Sequence, residues 1–276
     1  TLVIEGDRAG GTCVLRGCIP KKFLVYAAHF SQELSNSVGY GWSTSNVSFD
    51  WDTLIGHKNL ELDRLHGIYQ SMLDKAGVEV LSGRASLVDE HKVVVESQNG
   101  SREVTAENIL VATGGWAQIP DAMGSGAFLT SNEALSLDKL PKRLIVVGGG
   151  YIGLELGSVW SRLGSNVTVI EYLEKIAPGL DGELSAQFEK ILKKQGINFL
   201  LGSKVTGTKE IAEGINVDIE NVATSETSSL ETDVVLVSTG RVPNTDGLFD
   251  ESLGVKLNEK GFIKTDKNYR TDVSGI

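Results

Sequence analysis

The stretch that decides the fold runs from Arg143 to Glu171, RLIVVGGGYIGLELGSVWSRLGSNVTVIE. Leu144 to Val147 is an unbroken apolar run, the pattern of a strand buried on both faces. Gly148-x-Gly150-x-x-Gly153 follows, then a helical pattern through Leu163 that stops at Gly164. A second apolar run, Val167 to Ile170, ends at Glu171. Strand, turn, helix and strand in this order predict two parallel strands joined by a right-handed crossover. Gly148 permits the tight turn, Gly150 lets backbone approach a pyrophosphate, and Gly153 lets helix and strand pack closely. The helix N-terminus offers N–H groups to phosphate. Glu171 lies 21 residues past Gly150, where an acid hydrogen-bonds a ribose 2′-hydroxyl. A carboxylate there repels a 2′-phosphate, so the pattern reads as NAD(H), with NADP(H) disfavoured. The competing reading is a glycine turn in an α/β unit that binds nothing.

Outward from this unit, Asp181 to Gln195 reads as a helix, Ile197 to Leu201 as a strand, and two or three antiparallel strands follow. Asp233 to Val237 is a further apolar strand that runs into Ser238-Thr239-Gly240-Arg241. Upstream, Leu2 to Ile4 is a short strand ending in Glu5, and residues 6–17 read as a glycine-rich loop. Cys18 to about Asn36 reads as a helix with Pro20 in its first turn. Asp50 caps a long helical pattern, Trp51 to Ala76, closed by Gly77. Short strands occupy residues 78–104, and Ile109 to Ala112 reads as a buried strand entering Thr113-Gly114-Gly115. The fold class is therefore α/β, with parallel sheets.

The chain has 276 residues, enough for two domains at about 100–200 residues each. Glycine is the outlier, 32 residues against a usual share of about 7%. The net charge of −10 disfavours a bulk attraction to nucleic acid or to anionic lipid. No apolar run approaches the ~20 residues of a membrane span. The opening residues TLVIE lack the charged-then-apolar layout of a signal peptide, and a cytoplasmic location is the expectation.

The two cysteines, Cys13 and Cys18, lie five positions apart on the glycine-rich segment that enters a helix. Arg16, Lys21, Lys22 and the helix N-terminus would stabilise a thiolate at Cys18, as a redox pair requires. Two buried structural cysteines, or half of a zinc site, would give the same spacing, though no His or Cys nearby completes a metal set. No metal is expected. Glu5 ends a strand as Glu171 does, but a strand-ending acid is usually only solvated. His29, His57, His66 and His91 read as surface or loop histidines.

The segment Gly10 to Lys22, GGTCVLRGCIPKK, resembles the active-site signature of the FAD-dependent pyridine nucleotide–disulfide oxidoreductases. The order of parts agrees with that family: a strand with an acid, the cysteine pair, an Ala-Thr-Gly strand, the NAD(P) unit, and Thr239 to Asn244. Residues 1–152 resemble the glutathione reductase branch, through Pro20-Lys21-Lys22, Leu65 to Gln70, Ile109 to Pro120 and Ser131 to Ala134. Residues 153–276 resemble the lipoamide dehydrogenase branch, through Leu156 to Trp160, Val169 to Leu173 and Pro178 to Glu183. The change falls inside the glycine motif that both branches share, and it reads as a hybrid.

The resemblance implies two Rossmann-like domains, an NAD domain inserted in an FAD domain. The expected boundaries are 1–139 for the FAD domain, 140–265 for the NAD(P) domain, and 266–276 for the return. It also implies a fragment, with a flavin motif missing before Thr1 and a dimerisation domain missing after Ile276. It implies FAD and NAD(H) as cofactors, a small disulfide as substrate, and a homodimer for the full-length protein. Electrons would pass from the nicotinamide through FAD to a Cys13–Cys18 disulfide, with Cys18 facing the flavin and Cys13 attacking the substrate. Lys21 or Lys22 would pair with Glu155 near the flavin. Glu5, Thr12, Ala85, Thr113 and Gly114 match flavin-contacting positions. Gly148, Gly150, Tyr151, Ile152, Gly153, Glu155, Glu171, Val205 and Gly240 match nicotinamide-dinucleotide positions, and Tyr69 matches a glutathione contact. Glutathione disulfide is the expected substrate; the alternatives are lipoamide chemistry with NAD, and an NAD-binding fragment without turnover.

Overall fold

The computed structural model describes residues 1–124 and 126–276. In chain order the elements are β1 (Leu2–Glu5), α1 (Gly11–Arg16), α2 (Cys18–Ser37), α3 (Trp51–Lys75), β2 (Glu79–Ser82), β3 (Arg84–Asp89), β4 (Lys92–Ser97), β5 (Gly100–Thr105) and β6 (Gly115–Ala117). There follow α4 (Ser131–Ala134), β7 (Arg143–Val147), α5 (Tyr151–Arg162), β8 (Asn166–Ile170), α6 (Gly182–Lys194), β9 (Asn198–Leu200) and β10 (Ser203–Ile211). The last strands are β11 (Gly214–Asn221), β12 (Thr227–Thr232), β13 (Val234–Val237) and β14 (Arg241–Pro243). They form two compact units. The first comprises Thr1–Gly11, Arg64–Trp116 and Arg241–Ile276; the second comprises Thr12–Asp63 and Ala117–Gly240.

The second unit is built on a four-stranded parallel sheet of order β13-β7-β8-β9. Its strands read as continuous apolar runs because both faces are covered. Leu144 and Val146 of β7 point into one core with Val167, Leu236 and Trp160. Ile145 and Val147 point into the other, with Ile170, Val217 and Val235. That second face is covered by the antiparallel sheet β10-β11-β12. Asp181 caps α6 by accepting from Glu183 N at 2.9 Å. At the start of α3, Thr53 N donates to Asp50 Oδ1 at 2.7 Å, the cap that the sequence leads one to expect.

The compact units divide the chain elsewhere than at the expected boundaries 140 and 266. Residues 12–63 and 117–139 lie in the second unit, and residues 241–265 in the first. The reason is packing: Leu24 and Ala28 of α2 and Trp51 of α3 share one core with Leu144 and Trp160.

The first unit holds the parallel pair β1-β2, the antiparallel sheet β3-β4-β5, and the short pair β14-β6. Its core gathers Leu87, Val93, Val95, Leu248 and Ile276. Two local expectations need correction. Residues 11–16, read as loop, form α1, with Val14 buried beneath it. Ile109 to Ala112, read as a buried strand, carries no strand assignment, and Leu110 is 86% exposed. An apolar run becomes a strand only with a neighbour to complete its ladder. Ile109 N donates instead to Gly275 O at 2.7 Å.

At the N-terminal end of the parallel sheet, Arg143 donates to Asp233 Oδ1 from Nε (3.0 Å) and Nη2 (2.8 Å). The backbone N–H groups of Lys142 and Arg143 donate to Asp233 Oδ2. Desolvation alone would push the Asp233 carboxyl up, but the Arg143 N–H, its guanidinium and the Lys142 N–H outweigh it and hold the carboxyl below its ordinary value. A depressed carboxyl contributes stability above its unfolded value, about 3.9, and loses it as pH falls through the folded value. Asp233→Asn is therefore expected to lower the melting temperature by a few degrees at pH 7. That gap should close as pH is lowered below about 4; a gap independent of pH would contradict the assignment.

Candidate functional site

The glycine turn sits where β7 ends and α5 begins. Gly150 is the N-cap of α5, and Gly148 has φ +102°. A Cβ on Gly153 would overlap Gly148 O and would lie 2.5 Å from Ser238 Oγ and 2.7 Å from Val146 Cγ1. Only hydrogen fits there. Ser238 Oγ, beyond the end of β13, donates within the same knot to Val147 O (3.1 Å) or Gly148 O (2.9 Å).

Glu171 follows β8 directly and is buried. Gly149 N donates to its Oε2 at 2.6 Å and Leu173 N to its Oε1 at 2.8 Å. Ala177 N donates to Gly149 O at 2.8 Å, so Gly149 is held through both backbone groups. A carboxylate offers about four acceptor positions, so two remain for the hydroxyls of a ribose. A cleft of about 220 Å³ opens here, lined by Gly148, Glu171, Tyr172, Val205 and Thr239 among others. It lies at the carboxyl ends of parallel strands, where open α/β sheets bind ligands. Three expected residues, Gly148, Glu171 and Val205, meet in it. Gly240, next to Thr239, accepts from Gln118 N at 2.9 Å. These residues fit a nicotinamide dinucleotide: a turn that a Cβ would fill, a helix N-terminus for phosphate, and an oriented acid for ribose. Ile152 is half-buried in α5, and Tyr151 at its first position is 70% exposed.

Elsewhere in the second unit, Cys13 of α1 and Cys18 of α2 form a disulfide with Cα atoms 4.6 Å apart. Both cysteines lie at the surface. Gly17 between the two helices allows this closure, since a Cβ there would lie 2.7 Å from Thr12 O. Cys18 is the first residue of α2, where partial positive charge from unpaired N–H groups favours a thiolate. One turn further along α2, Lys21 Nζ donates to Glu155 Oε1 at 2.8 Å. Of the two lysines, Lys21 is thus the one paired with Glu155, while Lys22 is exposed.

In the first unit, Glu5 closes β1, and Asp7 N donates to its Oε1 at 2.9 Å. Its carboxylate stands at the carboxyl end of a parallel strand, the position Glu171 takes in the second unit. Ala85 lies in β3. Thr113 Oγ1 donates to Asn244 O at 2.8 Å, and Asn244 N donates to Gly114 O at 3.0 Å. An oriented strand-end carboxylate is an acceptor that fits the ribose hydroxyls of a flavin nucleotide. Tyr69 is on α3, 40% exposed. Among the described residues no cluster of three or more His, Cys, Asp or Glu could hold a metal ion, and no helix is long and apolar enough to cross a membrane.

Sequence reasoning missed the hold on Gly149 by Glu171 and Ala177, and the knot at Ser238. It also missed the capping box Thr130-x-x-Glu133 at α4, a pattern visible in the sequence.

The family described as pyridine nucleotide-disulphide oxidoreductase matches residues 1–276. The chain belongs to that family. It is 41% identical to dihydrolipoamide dehydrogenase of Chaetomium thermophilum, over 100% of this chain and 56% of that protein. It is 39% identical to glutathione reductase of Nostoc sp., over 92% of this chain and 54% of that protein. Among solved structures it is similar to the Cu(II) complex of HOCl-induced flavoprotein disulfide reductase RclA from Escherichia coli, with TM-score 0.85 and 28% identity, covering 99% of this chain and 58% of that one. The chain thus spans about half the length of the curated relatives it matches.

Proposed function

We propose that this chain carries the electron-transfer parts of a flavin-dependent disulfide reductase, which moves two electrons from NADH to a small disulfide. The observation that carries the reading is the Cys13–Cys18 disulfide at the start of α2, one turn from the Lys21–Glu155 pair. Bound FAD would link hydride donation by the nicotinamide to opening of that disulfide. The domains, in this reading, are a flavin unit interrupted by an NAD unit.

The residues then act as follows. The turn at Gly148, Gly150 and Gly153 places the pyrophosphate on the N-terminus of α5, and Glu171 receives the ribose hydroxyls. Glu171 also repels a 2′-phosphate, which selects NADH over NADPH. Once the pair is reduced, the Cys13 thiolate attacks one substrate sulfur and releases the other as a thiolate. Cys18 then attacks the Cys13 sulfur, the disulfide re-forms, and the second substrate thiol leaves; two protons complete the two product thiols. Lys21, fixed by Glu155, presents a positive charge one turn from Cys18. Tyr69 offers a phenol for substrate binding.

Glutathione disulfide is the substrate this reading puts first, on the Pro20-Lys21-Lys22 sequence and Tyr69. Lipoamide is the second reading, favoured by Glu171, the acid that selects NAD. The whole protein, in the same reading, is a cytoplasmic homodimer with no nucleic-acid partner.

The test is anaerobic. The chain is incubated with FAD and NADH, and its thiols are counted before and after. About two new thiols per chain are expected with both cofactors, and none with either alone. Glutathione disulfide and lipoamide are then offered in turn, and the better consumer of those thiols decides between the branches. NADH binding without any new thiol would leave only a dinucleotide-binding module.

A further inference from the structure

His66 reads from the sequence as a surface or loop histidine; the structure places it half-buried on α3, within the first unit and one turn before Tyr69. Its Nδ1 is 3.0 Å from Ala9 O. A carbonyl oxygen only accepts, so Nδ1 carries a proton and donates it, whether the ring is neutral or cationic. One backbone group, 57 residues earlier in the chain, therefore sets the orientation of this ring.

Ala9 belongs to residues 6–10, which link β1 to α1. Gly6 opens the link, and Gly10 closes it at φ +127°, in the left-handed region. Glycine at both ends leaves such a backbone many conformations unless something holds it. Ala9 is buried, and His66 takes its carbonyl. A loop carbonyl is ordinarily left to water; here a helix side chain replaces the water. Two residues before Ala9, Asp7 N donates to Glu5 Oε1 at 2.9 Å. Gly83 N donates to Glu5 O at 3.0 Å. The strands thus set the backbone of this acid, and the link that follows sets the direction of its carboxylate. His66 holds that link from outside.

We propose that His66 is a positioning residue for the flavin nucleotide: by holding Ala9 it keeps Asp7 N on Glu5, and so keeps the Glu5 carboxylate turned to receive a ribose. The proposal rests on the reading of Glu5 as the acid that binds the flavin ribose. Without the histidine, the link samples conformations in which Asp7 N leaves the carboxylate. Only a fraction of molecules then presents the acid correctly, and the apparent affinity falls by that fraction.

The test titrates the full chain with FAD and follows the quenching of flavin fluorescence. Hydrogen exchange at residues 6–10 is read on the flavin-free chain, with NADH binding and melting temperature alongside. His66→Leu removes the donor and keeps a bulky side chain. It is expected to weaken FAD binding about 3–10-fold, the effect of one lost hydrogen bond, and to speed exchange at residues 6–10. His66→Asn carries its Nδ2 as many bonds from the backbone as the histidine Nδ1, and should stay within about twofold of wild type. NADH binding, assigned to the second unit, should be unchanged in both variants. Equal weakening in the Leu and Asn variants would overturn the proposal, because a ring that merely packs predicts that result. So would unchanged exchange at residues 6–10, or a fall in NADH binding as large as the fall for FAD. If His66→Leu does not fold, His66→Ala is measured in its place against the same outcomes. A wild-type chain that takes up no FAD removes the flavin reading of this unit and the inference with it; wild-type binding matched by the Leu variant removes the inference alone.

Discussion

Replacing Gly153 by valine is expected to abolish NADH binding and to destabilise the second unit by roughly 3 kcal/mol or more. A Cβ there meets Gly148 O, Ser238 Oγ and Val146 Cγ1 at once. Two of these three belong to backbone or to a β-branched side chain, and neither can swing aside. The extra carbons must push α5 away from β7. That displacement opens the core around Val146 and Leu154 and moves the helix N-terminus off the pyrophosphate position. Titration by fluorescence should show no saturable NADH binding, and urea unfolding should show an earlier midpoint. Valine tolerated on both measures would mean that the turn is not the phosphate cradle described above.

The second large effect concerns Glu171. Glu171→Arg should weaken NADH binding by about 10–100-fold while NADPH binding weakens less or improves. The ribose hydroxyls lose their acceptor, and a 2′-phosphate gains a cation. The change also strips Gly149 N and Leu173 N of their acceptor, so the melting temperature should fall. Glu171→Gln separates these causes, because an amide oxygen can still accept one of the two bonds without carrying charge. It should lose less stability and should not favour NADPH. An NADH/NADPH affinity ratio unchanged in Glu171→Arg would falsify the role given to this acid.

Much of the second unit is legible in the sequence because its signals are local. Apolar runs, glycine punctuation and the Asp181 cap all lie within a few residues of the elements they define. Partnership is not local. Ile109 to Ala112 has the composition of a buried strand, and nothing in that run says whether a neighbour completes its ladder. Helix α1 hid behind the glycines at 10, 11 and 17, which read as loop although Val14 supplies a buried anchor. Within the site, spacing pointed to the glycine turn and Glu171, whereas the Cys13–Cys18 disulfide was implied by the resemblance of residues 10–22, since spacing alone left structural cysteines or half a zinc site open. The choice of Lys21 over Lys22 was legible in neither, because it depends on the position of Glu155, 134 residues away. His66 reads as a surface or loop residue because its acceptor, Ala9 O, lies 57 residues back, beyond any sequence pattern.

The double hold on Gly149 has a kinetic meaning. With its N–H on Glu171 and its carbonyl on Ala177, the turn has already surrendered its freedom when the chain folds. Immobilising a side chain during association costs about 0.5–1.5 kcal/mol, and for Glu171 that loss falls on folding instead. In the proposed NADH-binding reading, a nucleotide would therefore meet a turn already ordered. Encounter should need no loop closure, and the lifetime of the complex, more than its rate of formation, should respond when this hold is loosened.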